Sequence, residues 1–167
     1  MRALEPTDVD LLYKWENDPE IWHISNTLAP FSRFILEQYL VNAHEDIYSS
    51  KQLRLMIDMI TSEPDFKTIG SVDLFDFSPH HKRAGIGILI TKEERSKGYA
   101  SEALELIIKY SFETLNLHQL YCNISEHNEK SMRLFQKHGF VIIGNKKQWL
   151  RIKDAWVDEY ILQLIRK

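Results

Sequence analysis

Apolar positions along this chain change their period twice, and the changes divide it into three stretches. From residue 9 to about 43 the spacing is helical. Val9, Leu11, Leu12 and Trp15 share a face behind Asp8, a residue suited to cap a helix, and Asn17-Asp18-Pro19 stops the pattern. Ser32 opens a second helix that runs to about residue 43, with Ile35, Leu36, Tyr39 and Leu40 at helical spacing. The middle stretch holds three apolar runs, 52–60, 67–77 and 83–91. Glu63-Pro64-Asp65 and Ser78-Pro79-His80-His81 separate them, which predicts an antiparallel meander.

The last stretch alternates. Residues 101–115 form an amphipathic helix whose face carries Leu104, Ile107, Ile108, Ser111 and Leu115. A strand over 119–124 follows, then a helix over 128–138 that Gly139 can close in the left-handed conformation. A strand at 140–143 and a hairpin over 149–152 and 157–164 complete the chain. Strand–helix–strand–helix–strand at the centre predicts a mixed α/β or α+β domain around one sheet. At 167 residues the expectation is a single domain over 1–167.

Composition narrows the function. A net charge of -3 gives no argument for nucleic acid or an anionic membrane as the main partner, and neither is expected. No stretch approaches 18 apolar residues, so no membrane span is expected. The charged start Met1-Arg2-Ala3-Leu4-Glu5 does not read as a signal peptide, and Cys122 is the one cysteine, set in an apolar run where a buried, inert thiol is expected. These features favour the cytoplasm. The histidines lack metal-ligand spacing and no Gly-x-Ser-x-Gly elbow is present, so neither a metal nor a serine hydrolase is expected.

The informative segment joins the third strand to the long helix: Ile88-Leu89-Ile90-Thr91-Lys92-Glu93-Glu94-Arg95-Ser96-Lys97-Gly98-Tyr99-Ala100-Ser101. Gly98 permits a backbone turn that a side chain would oppose, and Ala100 allows close approach. The free N–H groups of the helix start, with its dipole and with Arg95 and Lys97, suit phosphate or pyrophosphate. A P-loop is absent, and Gly85-Ile86-Gly87 lies within a strand with Ile90 where a dinucleotide fingerprint needs its third glycine. Taken alone, residues 95–100 also fit a solvated helix entry, or a turn that binds ATP.

Arg95-x-x-Gly98-x-Ala100 after a strand resembles the acetyl-CoA motif of the GNAT N-acetyltransferases. Asn128-Glu129-Lys130-Ser131-x-x-x-Phe135-x-Lys137-x-Gly139-Phe140 resembles their second motif at matching separation. Ser111-Phe112-x-x-Leu115-Asn116-Leu117-His118 is similar to the spermidine acetyltransferase branch. Arg2-x-Leu4-Glu5-Pro6-x-Asp8 and Trp15-Glu16-Asn17-Asp18-Pro19 are similar to that branch and to the ribosomal-protein N-terminal acetyltransferases. The resemblance implies a central mixed, mostly antiparallel sheet split like a V and flanked by helices, with acetyl-CoA as acyl donor in the split. It places the pyrophosphate on the backbone of Arg95, Ser96, Lys97, Gly98, Tyr99, Ala100 and Ser101. The pantetheine arm would pair with Ile88, Leu89 and Ile90 as an added strand does, with Asn128 and Ser131 at the next strand's end. Asn128 also fits a plain helix N-cap. The implied acceptor is a small amine, most readily a polyamine such as spermidine. A protein N-terminus, an aminoglycoside-type amine and a non-catalytic acyl-CoA-binding module are the alternatives. Relatives form dimers or larger rings, so self-association through the apolar 149–156 hairpin is an expectation beside its burial in the core.

The chemistry demands a neutral amine. A lysine-like amine titrates near 10.4, so deprotonation at pH 7 costs about 4.6 kcal/mol, whereas a thiolate leaves with little help. A base or a dry amine pocket therefore matters more than an acid. Two positions depart from the spermidine branch: Phe135 stands where it commonly has a tyrosine, and Gly85 where it has a glutamate. Asp73, interrupting the apolar Val72-Asp73-Leu74, is the replacement carboxylate to expect, as base or amine ligand, against the alternative of an ion pair. Asp76 falls on the opposite face of a regular strand and is expected to be exposed. Tyr121 and Tyr99 are the candidate proton donors. Glu16, Asp18 and Glu20 lie where the family reads its acceptor, or are solvated charges. A backbone N–H near Ile90 would serve an oxyanion.

Overall fold

The computed structural model describes residues 1–25, 27–43, 46–62 and 65–167, without the side chains of 23–25. Glu63 and Pro64 of the expected turn lie outside the described residues. Contacts group the chain into two compact units, Ala3–Asp46 and Met1–Arg2 with Ile47–Lys167.

The smaller unit is helical, with α1 Val9–Glu16, α2 Pro19–Ser25 and α3 Arg33–Asn42. Asp8 does not cap α1 with its side chain. A 3-10 turn, Pro6–Asp8, precedes the helix, and the Asp8 carboxylate reaches back to accept the Glu5 N–H at 2.8 Å. Ser32 does cap α3, its hydroxyl accepting the Ile35 N–H at 3.2 Å. Asn17 ties the end of α1 to Phe31 ahead of α3: its amide donates to the Tyr13 and Phe31 carbonyls and accepts the Phe31 N–H.

The larger unit opens with the short helix α4, Ile47–Ser50. It continues through β1 Leu53–Ser62, β2 Asp65–Ser78, β3 Arg83–Ile90, α5 Tyr99–Glu113, β4 Gln119–Ser125, α6 Glu129–Lys137, β5 Val141–Ile152 and β6 Ala155–Ile165. The strands form one sheet in the order β1-β2-β3-β4-β6-β5. All neighbours are antiparallel except β3 and β4, whose parallel pairing needs a crossover, here α5. This is the expected mixed, mostly antiparallel class. The expected strands at 140–143 and 149–152 are one element, β5. It stays continuous because a bulge at Gln148 (φ 49°) takes up the register shift, and Asp158 accepts the Gln148 N–H at 2.9 Å. Helix α5 starts two residues earlier than its apolar pattern, because Gly98 at φ 95° turns the chain directly into it.

Val72, Leu74, Ala84, Ile86, Leu120, Cys122 and Leu162 point to one sheet face and bury against Leu104 and Ile107 of α5 and Phe135 of α6. Each Val, Leu, Ile or Phe among them contributes about 1.5–3 kcal/mol on burial. No helix among the described residues is long and apolar enough to cross a membrane.

Candidate active site

The sheet opens between β3 and β4. Only three residue pairs join them, Arg83–Gln119, Ala84–Leu120 and Gly85–Tyr121. Beyond that last pair both strands continue unpaired to each other. β3 then runs roughly 16 Å to its end with one edge free. The Thr91 N–H donates to the Ile69 carbonyl. Alternation along the antiparallel ladder then turns Leu89 and Gly87 toward β2, and leaves the backbone groups of Ile86, Ile88 and Ile90 facing the split. Of the three expected pairing residues, Leu89 therefore turns its polar groups the other way. The Ile90 carbonyl is met by Arg95 Nε at 3.0 Å, so that guanidinium folds back on the strand.

At the open end lies the turn into α5. Ser96 (φ 64°) and Gly98 (φ 95°) both adopt left-handed backbone, a concave arrangement that exposes successive N–H groups. Among the described residues, no backbone acceptor meets the N–H of Ser96, Lys97, Gly98, Tyr99 or Ala100, while Ser101 and Glu102 already donate to the Gly98 carbonyl. A Cβ added at Gly98 would meet nothing within 4 Å. Free donors, a helix start and an uncrowded turn fit a pyrophosphate. The free edge of β3 fits an amide-bearing arm laid beside it.

The formal charges there are arranged differently from the expectation. Lys97 Nζ donates to Glu94 at 2.8 Å, and Lys67 from β2 donates to the same carboxylate at 2.7 Å. Glu94 is buried, and its carboxyl is held below the usual range by Lys67 first and Lys97 second. Glu94 thus staples the turn to the sheet and occupies Lys97. Tyr99 turns inward, its hydroxyl donating to Met59 Sδ at 2.9 Å. The Ser101 hydroxyl lies 2.8 Å from His138 Nε2 and accepts from Lys137 Nζ at 3.2 Å. Burial, then Lys137, pushes the His138 ring below its usual range. Asn128 caps α6 by accepting the Ser131 N–H at 3.2 Å. That leaves its amide NH2 available at the mouth of the split.

At the closed end, on the sheet face away from α5, Gly85 lies between Phe75 of β2 and Tyr121 of β4 in register. The Phe75 ring fills the space above it: a Cβ at Gly85 would lie 2.2 Å from that ring. Tyr121 meets Phe75 edge-on, centroids 6.0 Å apart. Its hydroxyl donates to Asp76 Oδ2 at 2.9 Å. β2 is not regular here. A bulge with Asp76 at φ 48° cancels the strand alternation and turns that carboxylate toward Tyr121. Burial first, and the Asp76 hydrogen bond second, pushes the Tyr121 phenol up to about 12, so it stays protonated at neutral pH. Asp73 pairs with Arg54 of β1 at 2.7 Å, which satisfies its charge across the strand pair. Phe135 is buried against Phe140, 5.0 Å between centroids. Beside Tyr121 an open pocket of about 370 Å³ is lined by Arg83, Gln119, Gln163, Ile143 and Ile161.

The structure thus gathers Ile88, Ile90, residues 95–101, Asn128 and Ser131 around the open end, and Tyr121 at the closed end. Glu16, Asp18 and Glu20 belong to the smaller unit, where Asp18 accepts the Glu20 N–H at 2.9 Å. Phe75, Asp76 and Glu94 were not expected at the site. Among the described residues no three His, Cys, Asp or Glu side chains come together as metal ligands.

The sequence profile of the acetyltransferase (GNAT) domain matches residues 1–141. A spermidine N(1)-acetyltransferase of Vibrio cholerae serotype O1 is 28% identical, over 98% of this chain and 92% of that protein. The crystal structure of the Vibrio cholerae spermidine N-acetyltransferase in complex with CoA and spermine superposes with a TM-score of 0.81 at 26% identity, covering 98% of this chain and 93% of the other. A dodecameric structure of the Vibrio cholerae enzyme in an intermediate state gives 0.74 at 25% identity, with 98% and 91% covered.

Proposed function

The chain belongs to the GNAT acetyltransferase family, and on that premise we propose that its acetyl acceptor is a polyamine such as spermidine. It is an acetyl-CoA-dependent N-acetyltransferase. We read residues 1–167 as one such domain, since the family match runs through both compact units. The observation that carries the acceptor reading is the similarity, over nearly the whole chain, to a spermidine acetyltransferase whose structure holds CoA and spermine.

Acetyl-CoA supplies an activated acetyl thioester. In this reading the N–H groups of Ser96 to Ala100 hold its pyrophosphate, Ile86, Ile88 and Ile90 pair with its pantetheine arm, and the Asn128 amide donates to the same arm. Strand pairing directs that arm down the split toward Gly85 and Tyr121. There the faces of Phe75 and Tyr121 and the Asp76 carboxylate suit a cationic amine. Asp73, held by Arg54, is in this reading a paired charge and not a free base. Trp149 and Trp156 of the β5–β6 hairpin are 59% and 60% exposed, and we assign them to a contact between copies, in keeping with the dodecameric relative.

A second reading has its own support. The pocket beside Tyr121 carries Arg83, Gln119 and Gln163, groups that suit a peptide backbone or carboxylate better than a second ammonium. CoA-thiol release in a panel of spermidine, spermine, an N-terminal Ala or Ser peptide and an aminoglycoside separates the two. Turnover with spermidine or spermine supports the first, and turnover restricted to the peptide supports the second. Tight acetyl-CoA binding with no turnover in the panel would make the chain a binding module and overturn both.

A further inference from the structure

Asp76 and Tyr121 lie on strands that are not neighbours; β3 runs between them. Their hydrogen bond exists because the β2 bulge lifts Asp76 out of strand alternation, while Gly85 makes room for the Phe75 ring against which Tyr121 packs edge-on. Left-handed backbone is uncommon for a residue other than glycine, and here it is what turns Asp76 toward Tyr121. The pair sits at the last residue pair before β3 and β4 separate, where an arm laid along β3 from the α5 turn must end.

Because Tyr121 gives its proton to Asp76, the lone pairs of its oxygen remain for another donor, and no second donor meets that oxygen among the described residues. Asp76 is exposed, so a proton that reaches it has a way to solvent. The charged groups facing Tyr121 are Asp76 from β2 and Arg83 from β3, and its register partner on β6, Gln163, is neutral.

We propose that Tyr121 and Asp76 form the proton relay for the attacking amine, replacing the carboxylate that Gly85 cannot carry. Before attack the ammonium passes a proton to Tyr121 Oη as the Tyr121 proton passes to Asp76 Oδ2, and Asp76 returns it to solvent. The neutral nitrogen then bonds to the acetyl carbon as the C–S bond breaks; the thiolate leaves with the electron pair, and the second nitrogen proton goes to it through solvent. This inference rests on acyl transfer to an amine at the split and does not depend on which amine is used.

The test compares wild type with Asp76→Asn, Tyr121→Phe and the double variant, on the acceptor that wild type acetylates best. General-base relays contribute about 10²–10⁴ in rate. Each single variant lowers kcat by at least tenfold near neutral pH, and the double variant is no worse than either single. The defect shrinks as pH rises toward the amine's own pKa, where the amine needs no base; Asp76→Glu restores part of the rate. Without any donor or acceptor, the tyrosinate absorbance assigned through Tyr121→Phe titrates at lower pH in Asp76→Asn than in wild type. A defect equal at every pH, or a Tyr121 titration that Asp76→Asn leaves unmoved, overturns the relay. If wild type acetylates no amine, acyl transfer at the split fails, and the relay falls with it.

Discussion

The two ends of the split are built from different materials. The open end is made of backbone: free N–H groups of 96–100, the bare edge of β3 and a glycine at φ 95°. The closed end is made of side chains brought across three strands: Phe75 over Gly85, Tyr121 against Phe75, and Asp76 reached through a bulge. A backbone site tolerates most side-chain changes, provided the turn keeps its conformation. A side-chain site depends on register and on one missing Cβ, so it can be rebuilt with other residues while the first end stays as it is. On the resemblance given above, Gly85 and Phe135 stand where the branch has a carboxylate and a tyrosine, and neither residue lies in the turn at 95–101.

Gly85→Glu should show the largest effect. It restores the branch's carboxylate but drives a side chain into Phe75, with an expected loss of about 1–3 kcal/mol or more in denaturant unfolding. Phe75→Ala in the same chain should relieve part of that loss, so the double variant is more stable than the sum of the singles. Gly98→Val strikes the open end. It forces a β-branched residue into left-handed backbone at about 1–2 kcal/mol, and KM for acetyl-CoA should rise about tenfold with kcat little changed. Glu94→Ala sharpens the contrast further. It frees the turn from Lys67 and releases Lys97, and a several-fold rise in acetyl-CoA KM is expected, smaller than that of Gly98→Val. The Glu94 carboxyl is depressed in the fold, so its contribution is present above its ordinary pKa and fades as pH falls through the lowered value.

The smallest effect at neutral pH lies in the alkaline range. Tyr121 and Cys122 are both pushed up to about 12, chiefly by burial, from 10.0 and 9.0. A raised acid favours the folded chain below its unfolded pKa. That stability should be lost as pH climbs from about 9 to 12, and thermal melts across this window check it. Cys122 should resist alkylation at neutral pH until the chain unfolds.

The sequence made the open end legible because its determinants are local: an apolar strand, a polar turn with Gly98, and an amphipathic helix within a few residues. The meander, the crossover helix and the β5–β6 hairpin were legible for the same reason. Asp76 was assigned by strict alternation to the face away from Asp73, and a bulge reversed the geometry that alternation implies. Phe75 over Gly85 is a large residue opposite a small one, a signal that is present in the chain but readable only once register is known. Asp73 stood out as a charge in an apolar strand, yet its partner Arg54 lies 19 positions away on β1. Asp8 was a sound cap residue whose local 3-10 turn redirected it to Glu5.

Amide hydrogen exchange with and without acetyl-CoA tests whether acetyl-CoA lies along the free edge of β3 with its pyrophosphate on the α5 turn. Acetyl-CoA held that way slows exchange at Ile88 and Ile90 and at residues 96–100, and leaves Leu89, already paired to β2, unchanged. Protection confined to other parts of the chain, or the same protection produced by ATP, would contradict it.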